Sequence, residues 1–175
     1  DAVVSEEDAI LVLSHIAGDE LLSPLQQATG DVSNNVSLSS FDASLILQYI
    51  AGNIDQLPIG DIDYYIPAGE LSVPDIFGEE GEIITIPISI TNANNIYSFA
   101  FSFEYDILHL ESGSVYFDEI SDYGFTVESS VSDTGSIIVT GASPTSMEGN
   151  MDLFTLYFIP TEFENGQFEI ECNQI

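Results

Sequence analysis

The chain has 175 residues, thirty of them Asp or Glu and none of them lysine or arginine, which sets its formal charge at −30. Average usage would supply about twenty basic side chains over this length. Their absence excludes neutralising nucleic-acid phosphates, clamping a nucleotide or anchoring on anionic lipid with cationic side chains.

Internal salt bridges of the Lys or Arg type are equally impossible, so self-repulsion must be relieved by protons, salt or bound divalent cations. Oxygen-rich loops select hard cations such as Ca²⁺. An acidic halophile surface is the alternative origin of such a charge, although the many Ile and Asn residues and the missing arginine fit that class poorly. Trypsin-type cleavage sites and lysine isopeptide crosslinks are also absent, as suits a protease-resistant exterior protein. A hydrophobic fraction of 45% allows cores, and the length suits one or two domains. The chain shows neither the roughly eighteen-residue apolar run of a membrane span nor a basic, apolar leader. Cys172, the single cysteine, comes after Phe168 and Ile170 on the apolar side of an alternating run and is expected as a buried free thiol.

Residues 1 to 60 have helical spacing and repeat internally. At an offset of 34, Ser5, Asp8, Ala9, Leu11, Leu13 and Ile16-Ala17-Gly18 align with Ser39, Asp42, Ala43, Leu45, Leu47 and Ile50-Ala51-Gly52. Each copy opens on a capping pattern, Ser5-x-x-Asp8 or Ser39-x-x-Asp42, and stops at a glycine suited to a left-handed helix end. Before the second helix, Asp31, Ser33, Asn35, Ser39 and Asp42 place oxygen donors at positions 1, 3, 5, 9 and 12 of a twelve-residue loop, and Ser37 offers its carbonyl at position 7. That spacing fits a Ca²⁺ loop, with the final acid closing the sphere from the first helical turn. The competing reading is a polar linker that caps a helix. Val36 stands at position 6, where glycine is usual, and two carboxylates imply modest affinity. Asn35-Val36-Ser37 is also a glycosylation sequon, a use that would compete with ligation.

Two loop-helix copies with Asp31-x-Ser33-x-Asn35 and Phe41-Asp42-Ala43-Ser44-Leu45-Ile46-Leu47-Gln48-Tyr49-Ile50 resemble a type I dockerin over about a third of the chain. The resemblance implies a first calcium site with Asp1, the Val3 carbonyl, Ser5 and Asp8 at positions 5, 7, 9 and 12. Positions 1 to 4 would precede Asp1, so trimming or a neighbouring chain is expected to account for them. The resemblance further implies that Glu6 and Glu7 in one copy, and Ser40 and Phe41 in the other, help select a partner.

After Pro58, the acidic Gly- and Pro-containing stretch 59–69 is expected to be a short ordered linker, awkward for folding the helical unit back onto the C-terminal part of the chain. From Glu70 the period becomes two. Runs at Glu82–Ile90, Ile96–Tyr105, Phe125–Val131, Ser136–Thr140, Leu153–Ile159 and Gln167–Cys172 are separated by turn clusters at Asn92–Asn95, Asp133–Gly135 and Glu164–Gly166, which predicts a β-sandwich. Pro87 implies an edge strand or bulge. The ordered motifs Gly81-Glu-Ile-Ile-Thr-Ile-Pro-Ile-Ser-Ile90, Tyr97-Ser-Phe-Ala-Phe-Ser-Phe-Glu-Tyr-Asp106 and Gly149-x-x-x-Leu153-Phe-Thr-Leu-Tyr-Phe158 resemble a cohesin, a family of jelly-roll sandwiches that bind dockerins. About eight strands are expected against the family's nine, leaving the last one missing.

The expected organisation is therefore α+β by domain. A small all-α, dockerin-like loop-helix pair (1–58) and a linker (59–69) precede an all-β, jelly-roll or Ig-like sandwich (70–175). Catalysis has little support. Asp133-Thr134-Gly135 reads as a hairpin turn, His15 and His109 as packing or surface residues, and no serine elbow or Walker loop occurs. The expected function is a non-enzymatic, Ca²⁺-binding protein of the cell exterior or surface. Its expected partners are other copies of itself, joined head to tail as in a filament, or cohesin- and dockerin-type modules of other proteins. Nucleic acid and membrane insertion are not expected. A scaffold module of a cellulosome-like or surface-layer protein and a carbohydrate-binding adhesin are the alternatives.

Overall fold

The computed structural model describes residues 3–59, 68–108, 110–117, 120–161 and 170–174. A helical region is followed by a large antiparallel sandwich, an α+β architecture. Helices α1 (Glu6–Ala17) and α3 (Ser40–Ile50) are the two copies of the repeat. The Ser5 amide donates to Asp8 Oδ2 and the Ser39 amide to Asp42 Oδ2, each at 2.9 Å, so the capping pattern works twice. Past the helices, Gly18 and Gly52 take φ of 89° and 76°, a left-handed conformation that a Cβ would strain. A short helix α2 (Pro24–Gly30) adds to the expected elements. Its signal is Ser23-Pro24-x-Gln26, in which Ser23 and Gln26 cap each other around a first-turn proline.

The helical unit has its own core of Ala9, Val12, Leu13, Val32, Ala43, Leu45, Ile46 and Leu47, against which Ile54, Leu57 and Ile59 pack. The Ile59 amide donates to Val32 O at 3.0 Å, which ties the chain to the helices up to that point. Most of the expected linker, residues 60–67, lies outside the described residues, as do His109 and the expected turn at 164–166.

The strands are β1 (Ala68–Ser72), β2 (Ile84–Tyr105), β3 (Leu110–Tyr116), β4 (Thr126–Ser132), β5 (Ser136–Pro160) and β6 (Ile170–Gln174). About eight separate strands were expected; the described residues form six, because β2 and β5 each run through both layers. One layer orders β1, the first half of β2, the second half of β5 and β3. The other orders β6, the second half of β2, the first half of β5 and β4. Asn92–Asn95, expected as a turn between strands, lies inside β2. There Asn92 and Asn95 take φ of 54° and the register shifts, so the strand bends from one layer to the other without ending. The layers meet through rings: Phe103 packs edge-on to Phe154 at 5.8 Å, and Tyr105 to Phe158 at 5.0 Å. Pro87 fits its expected edge character, because β1 ends at Ser72, opposite Ser89.

Cys172 corrects an expectation. It shares the face of Ile170, which packs on the core, yet it is exposed because it lies on a short strand at the rim of its layer. The expectation that folding back is awkward is corrected as well: α1 packs on β4 and β5, and α3 on β5 and β2, within one chain.

Candidate functional site

Two arrangements carry chemistry, an oxygen-lined loop and the seam between helices and sheet. The loop wraps Asp31. Its Oδ1 accepts from Ser33 Oγ and the Asn35 amide, both at 3.2 Å, and its Oδ2 from the Val36 amide at 2.9 Å. Asn35 Oδ1 in turn accepts from the Ser37 amide at 2.8 Å. This winding requires left-handed backbone at Asn34 (φ 56°) and Val36 (φ 69°). Asparagine tolerates it; valine is strained there, as its departure from the usual glycine implies. At the far end, fully buried Asp42 ties the loop to α3. Its Oδ1 accepts from the Ser33 amide at 3.0 Å, and its Oδ2 from the Ser39 amide and hydroxyl at 2.9 and 3.0 Å.

Asp31, Ser33, Asn35, Ser37, Ser39 and Asp42 thus belong to one hydrogen-bonded turn. Its donor set consists of hard oxygens with two negative charges, a composition that suits Ca²⁺ rather than a softer ion. No group of three or more His, Cys, Asp or Glu positioned for a metal occurs among the described residues, so an ion here would rely on neutral oxygens for most of its shell. In the first copy, Asp1 lies outside the described residues, Val3 is exposed, and Ser5 and Asp8 are joined in the capping box. Of the residues expected to select a partner, Glu6 and Glu7 are exposed, Ser40 is buried, and Phe41 is half-buried against the helical core.

The seam is the feature that sequence reasoning missed. On β2, Phe99, Phe101 and Phe103 point into the sandwich, yet the intervening Ala100 and Ser102 are buried on the opposite face. On β5, Ile137 and Val139 point inward while Thr140 and Ala142 are wholly buried, with Ala142 inside the helical core cluster. Small and hydroxyl-bearing residues make this face flat enough for α1 and α3 to cover it. Three polar contacts pin the helices. The Ser130 hydroxyl donates to Ala17 O, the Asn53 amide nitrogen to Pro144 O at 2.9 Å, and the Thr140 hydroxyl stands 3.4 Å from both Leu13 O and Glu128 O. Gly141, on the inner side of the same strand, has no side chain because the Phe99 ring occupies the space a Cβ would take. The signal in the sequence is the alternation of aromatic with Ala, Ser or Thr, where a solvent-facing strand would alternate with charge.

One electrostatic element opposes the seam. Partial burial on β4 pushes the Glu128 carboxyl above its ordinary range, and the charge of Asp19, just beyond α1, adds to the rise.

Among the described residues, the other candidates offer no catalytic constellation. Asp133-Thr134-Gly135 is the β4–β5 turn, closed by Ser132 through the Thr134 and Gly135 amides. His15 Nδ1 accepts from the Leu22 amide at 3.2 Å and lies 3.1 Å from Glu20 O, which organises the chain after α1. An open cleft of about 460 Å³ near the β4–β5 turn is lined by Glu104, Asp106, Glu171, Thr134 and Ser136, which supply carboxylates and hydroxyls. No helix among the described residues is long and apolar enough to cross a membrane.

Residues 69–164, more than half of the chain, match the cohesin domain family model. The fold is shared with the type I cohesin–dockerin complex Coh-OlpA-Doc918 from Clostridium thermocellum (TM-score 0.52, 19% identity, 61% of this chain and 82% of that one). It is shared too with the sixth cohesin of scaffoldin B from Acetivibrio cellulolyticus, in complex with a mutant Cel5 dockerin (TM-score 0.51, 18% identity, 60% and 81%). The seventh ScaB type I cohesin from Pseudobacteroides cellulosolvens is similar as well (TM-score 0.50, 16% identity, 59% and 73%). No curated protein matches the chain.

Proposed function

Because the chain belongs to the cohesin family, we propose that it is a non-enzymatic extracellular assembly protein whose sandwich receives a dockerin-like, calcium-ordered helical unit and whose copies join head to tail. The cohesin domain is a non-catalytic scaffold module, so binding is where its function lies. The observation that carries the reading is the burial of two outward-facing sheet residues under the helical unit, Thr140 against Leu13 O and Ala142 within the helical core. Two of the similar structures hold a cohesin with a dockerin, which gives the helical repeat a natural counterpart.

Asp31, Ser33, Asn35, Ser39 and Asp42, with the Ser37 carbonyl, would hold Ca²⁺ at the second loop. A first site would draw on Ser5, Asp8 and the Val3 carbonyl, with Asp1. When bound, the ion supplies positive charge to a chain that has no Lys or Arg. A surface carrying both a helical plug and its sheet socket makes a heterologous contact, which propagates unless rotation closes it. Glu6 and Glu7, both exposed, are the partner-selecting positions open to a second molecule.

Electron microscopy and sedimentation of the purified chain at concentrations approaching about the millimolar range, with calcium and after chelation, test the reading. Head-to-tail assemblies that dissolve on chelation are the expected result. Monodisperse particles under both conditions would instead favour a scaffold module that binds other proteins, and retention on a glycan array an adhesin.

A further inference from the structure

We propose that the helix-on-sheet seam is exchangeable, so that α1 and α3 seat either on their own sandwich or, through the same residues, on that of a second copy. This deepens the head-to-tail reading and rests on it. Each body keeps its own core: the helical cluster is built from residues 9–47, the sandwich cluster from residues 84–158, and only Ala142 crosses between them. The seam can therefore part without dismantling either core. Its contacts suit reversible use. The apolar part is a flat face of small residues, the polar part is three hydroxyl or amide donors on backbone carbonyls, and Asp19 opposite Glu128 adds repulsion.

A seam made in trans reproduces the seam in cis residue for residue. Contact energy therefore does not choose between them; concentration does. Eight residues, 60–67, join Ile59 to Ala68. A tether this short sets an effective concentration in the millimolar range, provided that it spans the two sites. The chain should thus close on itself when dilute and exchange with neighbours as its concentration approaches that range. The closed chain is then the unassembled form: its plug fills its own socket, and growth consists of swapping one seam for an identical one.

Cysteine mapping on the full chain tests this. In a Cys172→Ser background, Asn53→Cys and Thr145→Cys place thiols on the two sides of the Asn53–Pro144 contact, for capture by a short bis-maleimide. The double variant should link within one chain at about 10 µM. Single variants, mixed at a concentration near the millimolar range, should give Asn53→Cys to Thr145→Cys heterodimers in large excess over either like-with-like pair. Intrachain links alone, at every concentration, would overturn the exchange while leaving helix-on-sheet docking intact. Links between chains alone, even when dilute, would overturn the closed form and leave head-to-tail joining. Absence of both would remove the seam itself and the functional reading with it.

Discussion

Asp42 sits where the loop, the helix start and the proposed ion meet, and replacing it separates their contributions. The side chain is fully buried and accepts from three donors, the Ser33 amide at 3.0 Å, the Ser39 amide at 2.9 Å and the Ser39 hydroxyl at 3.0 Å. Asp42→Ala leaves the buried Ser33 amide unsatisfied, a loss of about 1–3 kcal/mol, and removes half of the capping box, about 1 kcal/mol more. Without calcium the helical unit should therefore lose about 2–4 kcal/mol. Asp42→Asn keeps one accepting oxygen but turns a donor nitrogen toward either the Ser33 amide or the Ser39 amide and hydroxyl, so without calcium it should still cost about 1–3 kcal/mol. Calcium should widen the deficit. An ion binding only the folded loop adds about 2.7 kcal/mol at a hundredfold excess over its Kd. Asn at loop position 12 removes one of the two negative charges that hold the ion, and most of that increment should vanish. Thermal melts followed by far-UV circular dichroism, with calcium titrated against a chelator, read both numbers. An equal calcium increment in Asp42→Asn and the parent would refute closure of the loop on this carboxylate. Parent-like melting of Asp42→Ala in chelator would refute the hydrogen-bond argument.

Val36 is 94% exposed at φ 69°, and Val36→Gly keeps the amide that donates to Asp31 while relieving a left-handed β-branched residue; net of the added chain entropy, a gain of about 0.5–1 kcal/mol is expected, and an unchanged or lower melting temperature would contradict the strain. Ala142→Trp should wedge the seam at a cost of at least about 1–3 kcal/mol and split one unfolding transition into two, with the sandwich retained; calorimetry showing a single parent-like transition would count against the contact. Because the raised carboxyl of Glu128 favours the proton in the folded chain, its contribution to stability is full below the ordinary carboxylate value of 4.5 and is lost as pH rises through the raised one. Glu128→Gln should accordingly strengthen the seam at pH 7, with the advantage shrinking on acidification. Hydrogen exchange along β4 and β5 measures it, and a pH-independent difference would refute a role for the Glu128 charge.

Helices α1 and α3, the loop between them and the class of the sandwich were legible in the sequence because local rules specify them. Ser5-x-x-Asp8 and Ser39-x-x-Asp42 cap, Gly18 and Gly52 terminate, and period-two runs such as Phe99, Phe101 and Phe103 choose an inner face without reference to distant residues. Tertiary structure decided what those rules leave free. Four asparagine-rich residues at 92–95 read as a turn, yet cross-strand pairing with residues 147–151 keeps β2 continuous as it changes layers. Cys172 has core-facing parity but no cover, since parity selects a face and only the opposing layer buries it. Above all, Thr140 and Ala142 look like the solvent side of a strand until α1 and α3, a hundred residues earlier in the chain, come down on them. Burial at that distance depends on which surfaces meet, and a one-dimensional pattern does not encode the meeting.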